Sequence, residues 1–171
     1  MNAVDRYQAR AIGKPLLLLP LMAKMAMVLA CTIALLGCSS ERGLPTIVAD
    51  RTTCSNCKML VSETAYATAF RLGGEDQVFD DIGCMLDKLA SETEWKPEQM
   101  WTRDHSSDTW IEAGSAAFAF SKLLKTPMGF GYVAYSDKTA AEGAASKVGG
   151  IVLSGVDALQ AHYKNNEHAQ N

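Results

Sequence analysis

Three sulfur-bearing side chains lie within six residues in the segment Cys54-Ser55-Asn56-Cys57-Lys58-Met59. Thiolates and thioethers are soft donors, so a segment that combines cysteine with methionine suits Cu(I) better than harder divalent ions. Zinc rarely needs methionine as a ligand. The segment therefore indicates a metal site or a redox site. The simpler alternative is a disulfide between Cys54 and Cys57, with Met59 as a core residue.

Two further residues join this set of candidates. Cys84 lies in the first turn of a predicted helix, where the helix N-terminus favours a thiolate, although the neighbouring Asp80 and Asp81 oppose it. His105 lies in a polar loop; a loop histidine is usually solvated, but a neutral imidazole also binds copper. Asp80 and Asp81 precede an apolar helical stripe, so we interpret them as a helix cap rather than an acid-base pair.

The first 37 residues resemble the signal peptide of a bacterial lipoprotein. Basic residues precede or interrupt an apolar run that is too short to span a bilayer permanently, and this run ends at Leu35-Leu36-Gly37-Cys38. Met22 is an alternative start. The resemblance implies cleavage before Cys38 and attachment of lipid chains to Cys38 as an anchor. We expect a protein held on the periplasmic side of the bacterial membrane, at the outer membrane, by a lipidated flexible tether over residues 38–50.

The cysteine count limits the possible states of the thiols, and the net charge limits the possible partners. Removal of residues 1–37 leaves 134 residues and, besides Cys38, the thiols of Cys54, Cys57 and Cys84. An odd number of thiols in an oxidising compartment means that at least one is free, bridges to another chain or binds metal. The removed segment holds four of the 16 basic and one of the 19 acidic residues, so the remaining chain has a net charge of −6. This balance argues against nucleic acid as a partner.

Hydrophobic patterns predict strands and helices that would position these residues. Residues 65–72 and 77–79 are predicted strands joined by a turn at 73–76. The helix that follows ends near Ser91. Its apolar stripe consists of Ile82, Met85, Leu86 and Leu89. Met85 is therefore predicted to be a core residue rather than a ligand.

The second half of the chain repeats this alternation of strands and helices. The predicted strands are 100–102, 109–111, 132–135 and a buried one at 151–153, and the predicted helices are 139–148 and a short one from Asp157. Residues 113–124 fit either state. Residues 161–171 are predicted as a disordered tail, with His162 and His168 at the surface. The predicted fold class is α+β, with two small modules, at about 51–95 and 100–160, packed side by side.

Five motifs, in this order, resemble the NosL family, the lipoprotein accessory factors of nitrous oxide reductase. They are the lipobox at Cys38, Cys54-x-x-Cys57-Lys58-Met59, Phe79-Asp80-Asp81-Ile82-Gly83-Cys84-Met85, Trp110-Ile111-Glu112-Ala113 and Pro127-Met128-Gly129-Phe130-Gly131. Glycines on both sides of Phe130 allow unusual backbone angles and a close approach to a site. The likeness covers about residues 54–159, nearly the whole chain after the tether.

The resemblance implies a membrane-anchored periplasmic Cu(I) chaperone, not an enzyme, that delivers copper for the maturation of nitrous oxide reductase. The implied partners are nitrous oxide reductase and its ABC-type maturation complex, and the ion is carried by a monomer or by a homodimer. The implied fold is a pair of ββα-type modules that resemble those of organomercurial lyases. The implied ligands are Cys57, Met59 and Met128, with Cys54 and Cys84 as second-tier ligands.

One residue departs from the family pattern, because Lys58 stands where the family usually has glycine between cysteine and methionine. Lysine tolerates a positive φ less well than glycine, so we expect the turn between Cys57 and Met59 to differ. A nearby ammonium group would also stabilise the thiolate.

Two other functions remain open. Cys54-x-x-Cys57 is also the motif of thiol-disulfide oxidoreductases, with Thr126-Pro127 as the neighbouring proline, although no apolar strand immediately precedes the pair. A structural zinc module would use Cys54, Cys57, Cys84 and His105. Loss of the metal would unfold such a module, whereas a copper chaperone should stay folded when empty.

Overall fold

The computed structural model describes residues 43–168, so the predicted signal peptide and Cys38 lie outside the described residues. The compact unit begins at Leu44. Part of the predicted tether is packed against it: Pro45 is buried, and its carbonyl oxygen accepts a hydrogen bond of 2.8 Å from Trp110 Nε1. The compact unit therefore includes residues 45–50, which the sequence had placed in the tether. In the described part of the chain, no helix is long and apolar enough to cross a membrane.

The first module is a four-stranded antiparallel sheet with one helix. The elements are β1 (Thr68–Leu72), β2 (Glu75–Phe79), α1 (Ile82–Ser91), β3 (Gln99–Asp104) and β4 (Thr109–Glu112). The strand order in the sheet is β2-β1-β3-β4. The predicted hairpin is confirmed, with a tighter turn than expected, because Leu72 pairs directly with Glu75. The two residues between them, Gly73 and Gly74, both have positive φ, as a type I′ turn requires.

The second module is a three-stranded antiparallel sheet with two helices. The elements are β5 (Ala117–Phe120), β6 (Tyr132–Tyr135), α2 (Lys138–Ser146), β7 (Ile151–Ser154) and α3 (Gly155–His168). The strand order in the sheet is β6-β5-β7. The ambiguous segment 113–124 thus contains a strand. β7 lies at one edge of the sheet and is not buried as predicted, since Ile151 is 47% exposed.

The α+β class with two modules is confirmed, but the boundary between the modules was predicted too early. β3 pairs with β1, and β4 pairs with β3, so residues 99–112 belong to the first sheet rather than to the second module. The division falls between Glu112 and Ala117. One hydrophobic core joins the modules, because Ile82 and Leu86 of α1 pack with Phe118 and Leu159 of the second module.

The C-terminal segment is more ordered than predicted. α3 continues to His168, so the prediction of a disordered tail is wrong for residues 161–168. Val156, Leu159 and Tyr163 lie on one face of α3 and are buried, which gives the helix a reason to extend. His162 is half-buried rather than a surface residue, because its ring packs against Phe120.

The Cys54–Met59 loop is closed by its own backbone and attached to β2. The Cys54 amide donates to the Met59 carbonyl at 2.8 Å, and the Ser55 amide donates to the Val78 carbonyl at 2.7 Å. Lys58 has φ +67°, so it adopts the left-handed conformation despite its side chain. Its Nζ donates to the Ser55 carbonyl at 2.7 Å.

A buried carboxylate links the two sheets at the end of β3. Asp104 Oδ1 accepts a 2.8 Å hydrogen bond from the Ser106 amide, and Oδ2 accepts one from the Ser136 hydroxyl beyond β6. Burial tends to raise the pKa of Asp104, but the hydrogen bonds from Ser136 and Ser106 outweigh it, so the pKa is lowered. The next residue, His105, extends the link, since its amide donates to the Ala134 carbonyl at 2.9 Å.

We predict that the variant Lys58→Gly is more stable than Lys58→Ala by about 1 kcal/mol, because a side chain in the left-handed region costs about that much. Both variants lose the Nζ hydrogen bond, so their difference isolates the backbone conformation. Urea denaturation measures the two free energies of unfolding. The same pair of substitutions at the exposed Lys122, which does not have a positive φ, should show no advantage for glycine. Equal stability of the two Lys58 variants would contradict the prediction.

We predict that Asp104→Asn lowers the free energy of unfolding at pH 7 by about 1–3 kcal/mol, the cost of weakened hydrogen bonds to a buried charge. A carboxylate with a lowered pKa stabilises the fold above its unfolded pKa of about 4, and this contribution is lost as the pH falls further. The difference from the parent protein should therefore shrink below about pH 4. Denaturation at a series of pH values measures it. The exposed Asp157→Asn is the control, and a difference independent of pH would show the prediction wrong.

Candidate metal site

Four possible metal ligands from two neighbouring segments meet at one place. Cys54 and Cys57 come from the Cys54–Met59 loop, Asp80 follows β2, and Cys84 lies in the first turn of α1. Their three Sγ atoms and a carboxylate oxygen all lie within 4.8 Å of one another. The structure thus brings together three of the residues that the sequence indicated and adds one that it did not.

The site has a buried part and an open edge. Cys54 and Cys84 are 0% and 1% exposed and pack with Phe70, Phe79 and Met85, whereas Cys57 is only partly buried. All three are free thiols. An ion or a partner that arrives from solvent would therefore meet Cys57 first.

The three thiols do not ionise alike. A hydrogen bond from Cys84 lowers the pKa of Cys54 to about 6, even though burial opposes it. Burial raises the pKa of Cys57 to about 11. The same contact with Cys54, together with burial, raises the pKa of Cys84. The lowered pKa therefore belongs to the buried Cys54, and the more accessible Cys57 has a raised one.

Asp80 is the residue that sequence reasoning missed. It is 4% exposed; its Oδ2 accepts from Cys57 Sγ at 3.5 Å, and its Oδ1 is buried without a hydrogen-bond partner. Of the two residues predicted as alternatives for the helix cap, Asp81 caps α1, and Asp80 lies with the thiols. The spacing of four residues between Asp80 and Cys84, directly after a strand, was the available signal.

Asp81 connects the site to the second module. Its Oδ1 accepts from the Gly83 amide at 2.9 Å, and its Oδ2 accepts from Thr126 Oγ1 at 2.6 Å and from the Met128 amide at 3.0 Å. Burial raises the pKa of Asp81, although these hydrogen bonds oppose the shift. The carboxylate therefore fixes the loop that carries Met128 against the N-terminus of α1.

A contact between Phe130 and Gly83 also holds the loop that carries Met128 against α1. A Cβ atom at Gly83 would lie 1.8 Å from Cγ of the Phe130 ring, so only glycine permits this packing. The two glycines that flank Phe130, Gly129 and Gly131, both have a φ of +76°, as their pattern predicted.

The predicted methionine ligands differ in their placement. Met128 is partly buried and packs against the cysteine-containing core. Met59 is 57% exposed at the end of the Cys54–Met59 loop. Met85 is a core residue, as predicted, and its Sδ accepts a 3.3 Å hydrogen bond from Thr68 Oγ1. The roles of Met59 and Met128 as metal ligands stay a prediction.

His105 lies elsewhere. Its ring packs against Tyr66 and Tyr135 at centroid distances of 4.8 and 5.9 Å, and its buried Nδ1 has no hydrogen-bond partner. Among the described residues, the group of donors contains Asp80 and the three cysteines but not His105. The proposed Cys₃His zinc set is therefore not formed, and a Cys₃Asp set takes its place.

The comparisons with known proteins agree with this fold. The chain is similar to the copper chaperone NosL from Shewanella denitrificans, whose crystal structure superposes with a TM-score of 0.57 at 17% sequence identity. The alignment covers 66% of this chain and 92% of that one. A comparison with curated proteins finds no match. The NosL family model matches residues 45–163, well over half of the sequence, and the chain therefore belongs to the NosL family.

Proposed function

We propose that this chain is a Cu(I) chaperone that binds the ion at the cysteine site and passes it to an acceptor protein. The observation that carries the proposal is the group of three Sγ atoms and one carboxylate oxygen within 4.8 Å, beside the Met128 loop. Sulfur-rich sites favour Cu(I) over harder ions. The solved relative is itself described as a copper chaperone.

The division of the site into an inner and an outer part suits delivery. Cys57, Met59 and Met128 are the proposed outer ligands, and Cys54 and Cys84 lie behind Cys57. A partly exposed ligand can be exchanged for a ligand of the acceptor without unfolding the donor. The net charge of −6 for residues 38–171 favours a basic docking face on that acceptor.

The biological setting follows from family membership and is part of the proposal. We propose that the acceptors are nitrous oxide reductase and its ABC-type maturation complex. The lipobox at Cys38 supports a location on the periplasmic side of the membrane.

A thiol-disulfide oxidoreductase fits the site less well. Its attacking cysteine must be exposed and have a low pKa. Here the thiol with the lowered pKa, Cys54, is 0% exposed, and burial raises the pKa of the accessible Cys57. The accessible thiol and the thiol with the lowered pKa are therefore different residues.

A structural zinc site is the second candidate, because a Cys₃Asp set can also hold zinc. The hydrophobic packing argues against a structural role. Of the four core clusters within residues 43–168, three contain no cysteine, including the cluster that joins the two modules. The domain therefore has enough metal-independent packing to fold when it is empty.

We predict that the outer thiolate is needed for tight Cu(I) binding. All variants are made in the full-length chain with Cys31→Ser and Cys38→Ser, which leaves three thiols of the five. In anaerobic competition with a chromogenic Cu(I) chelator, Asp80→Asn should weaken binding by about 10- to 100-fold, as loss of a supporting group does. Cys57→Ser should weaken it at least as much.

Volume-conserving substitutions test the thioethers separately. Met59→Leu and Met128→Leu should each weaken Cu(I) binding, whereas Met100→Leu, at a core methionine outside the proposed ligand set, should not. If Cys57→Ser bound Cu(I) as tightly as the parent, the assignment of the outer site would be abandoned.

We predict that chelation of metal leaves the protein folded. Thermal melting in EDTA or in a Cu(I) chelator should keep a cooperative transition. Added Cu(I) should raise the midpoint more than Zn²⁺ at the same concentration, since the ligand that binds the folded state more tightly stabilises it more. Loss of the cooperative transition on chelation would instead support the structural zinc site.

A further inference from the structure

The site holds more thiols than the outer ligands require. A Cu(I) ion bound by Cys57 and two thioethers needs only one cysteine. The Sγ atoms of Cys54 and Cys84 nevertheless lie within 4.8 Å of the Cys57 Sγ atom. Their Sγ atoms also lie within 4.8 Å of each other, and the two side chains are 0% and 1% exposed. They come from different segments, so their pairing is a product of the fold rather than of the Cys-x-x-Cys motif.

We propose that Cys54 and Cys84 form an internal electron donor that reduces Cu(II) to Cu(I), while Cys57 stays reduced to hold the product. This step deepens the proposed copper-carrier function and rests on the same site. It assigns to Cys54 and Cys84 a reducing activity that is separate from Cu(I) binding by the outer ligands.

The electrons and atoms balance for two copper ions. Two Cu(II) ions each accept one electron, the two thiols release two protons, and one sulfur–sulfur bond forms between Cys54 and Cys84. One Cu(I) stays on Cys57 with the thioethers, and the second leaves for an acceptor. The chain thus consumes its own thiols once in each cycle.

A dithiol reductant returns the pair to its starting state. The inner disulfide is buried, but the Cys57 sulfur lies within 4.8 Å of both partners. After copper has left, the Cys57 thiolate attacks the inner disulfide and transfers it to an outer Cys54–Cys57 bond, which frees Cys84. An external dithiol then reduces the outer bond.

Burial favours the inner pair over Cys54 and Cys57 as the first disulfide. Cys54 and Cys84 are 0% and 1% exposed, whereas Cys57 is partly exposed and donates to Asp80 Oδ2 at 3.5 Å. The inner pair is also shielded from outside thiols, so an oxidant reaches it through a metal ion bound at the site. The same shielding favours a bond within one chain over a bond between chains.

The test adds two equivalents of Cu(II) to the reduced, metal-free chain that carries Cys31→Ser and Cys38→Ser, without oxygen. In separate aliquots, bicinchoninate counts Cu(I), and alkylation in denaturant at acid pH, where thiol–disulfide exchange stops, counts the remaining thiols. We expect two Cu(I) ions per chain and the loss of two of the three thiols. Trypsin then locates the bond, because Cys54 and Cys57 lie in peptide 52–58 and Cys84 in peptide 72–88.

The expected product is a cross-link between these two peptides, with Cys57 alkylated. Three intact thiols, a bond confined to peptide 52–58, or a bond between two chains would each overturn the proposal. The mapping needs no further substitution, so it does not depend on the folding of a variant.

Matched variants separate this proposal from the copper-carrier function. Cys57→Ser should still form the cross-link and release Cu(I), but should lose the retained ion. Cys84→Ser removes one partner of the inner pair and should lose the cross-link. Tight Cu(I) binding with no cross-link would leave the carrier function standing and remove the reduction. A cross-link with no retained Cu(I) in the parent would support the reduction and remove the carrier function.

Discussion

The carboxylate of Asp81 is the constraint on which the rest of the site depends. It is fully buried, it caps α1, and it holds the Thr126 hydroxyl and the Met128 amide of the other module. Each hydrogen bond to a charged acceptor contributes about 1.5–3 kcal/mol, and a buried carboxylate without such donors would be strongly destabilising. One side chain therefore sets the start of the helix that carries Cys84 and the place of the loop that carries Met128.

The local elements of the fold could be predicted from the sequence, and the long-range pairing could not. The apolar stripe of α1 and the Gly73-Gly74 turn depend on neighbours in sequence, so their patterns were sufficient. The boundary between the modules depends on the pairing of β3 with β1, about 30 residues away, which no local pattern encodes. α3 was predicted too short because its buried stripe is interrupted by polar residues and becomes apparent only against α1 and β5.

The candidate site was predictable by residue type but not by geometry. Soft donors indicated the Cys54–Met59 loop, and the helix start indicated Cys84, but their convergence requires the Ser55 amide to bond to β2. Asp80 and Asp81 are adjacent and chemically identical, and only the backbone direction at the end of β2 decides which caps the helix and which faces the thiols. Lys58 adopts a positive φ that its residue type disfavours, because the bonds on either side of it close the loop.

The close contact at Gly83 sets how near the two modules can come. The aromatic ring of Phe130 occupies the space where any other residue would carry its side chain. Even one added methyl group would keep the neighbouring thioether of Met128 further from the sulfur atoms of the first module. The distance between the Met128 loop and the thiols of the first module is thus limited by a side chain that Gly83 does not have.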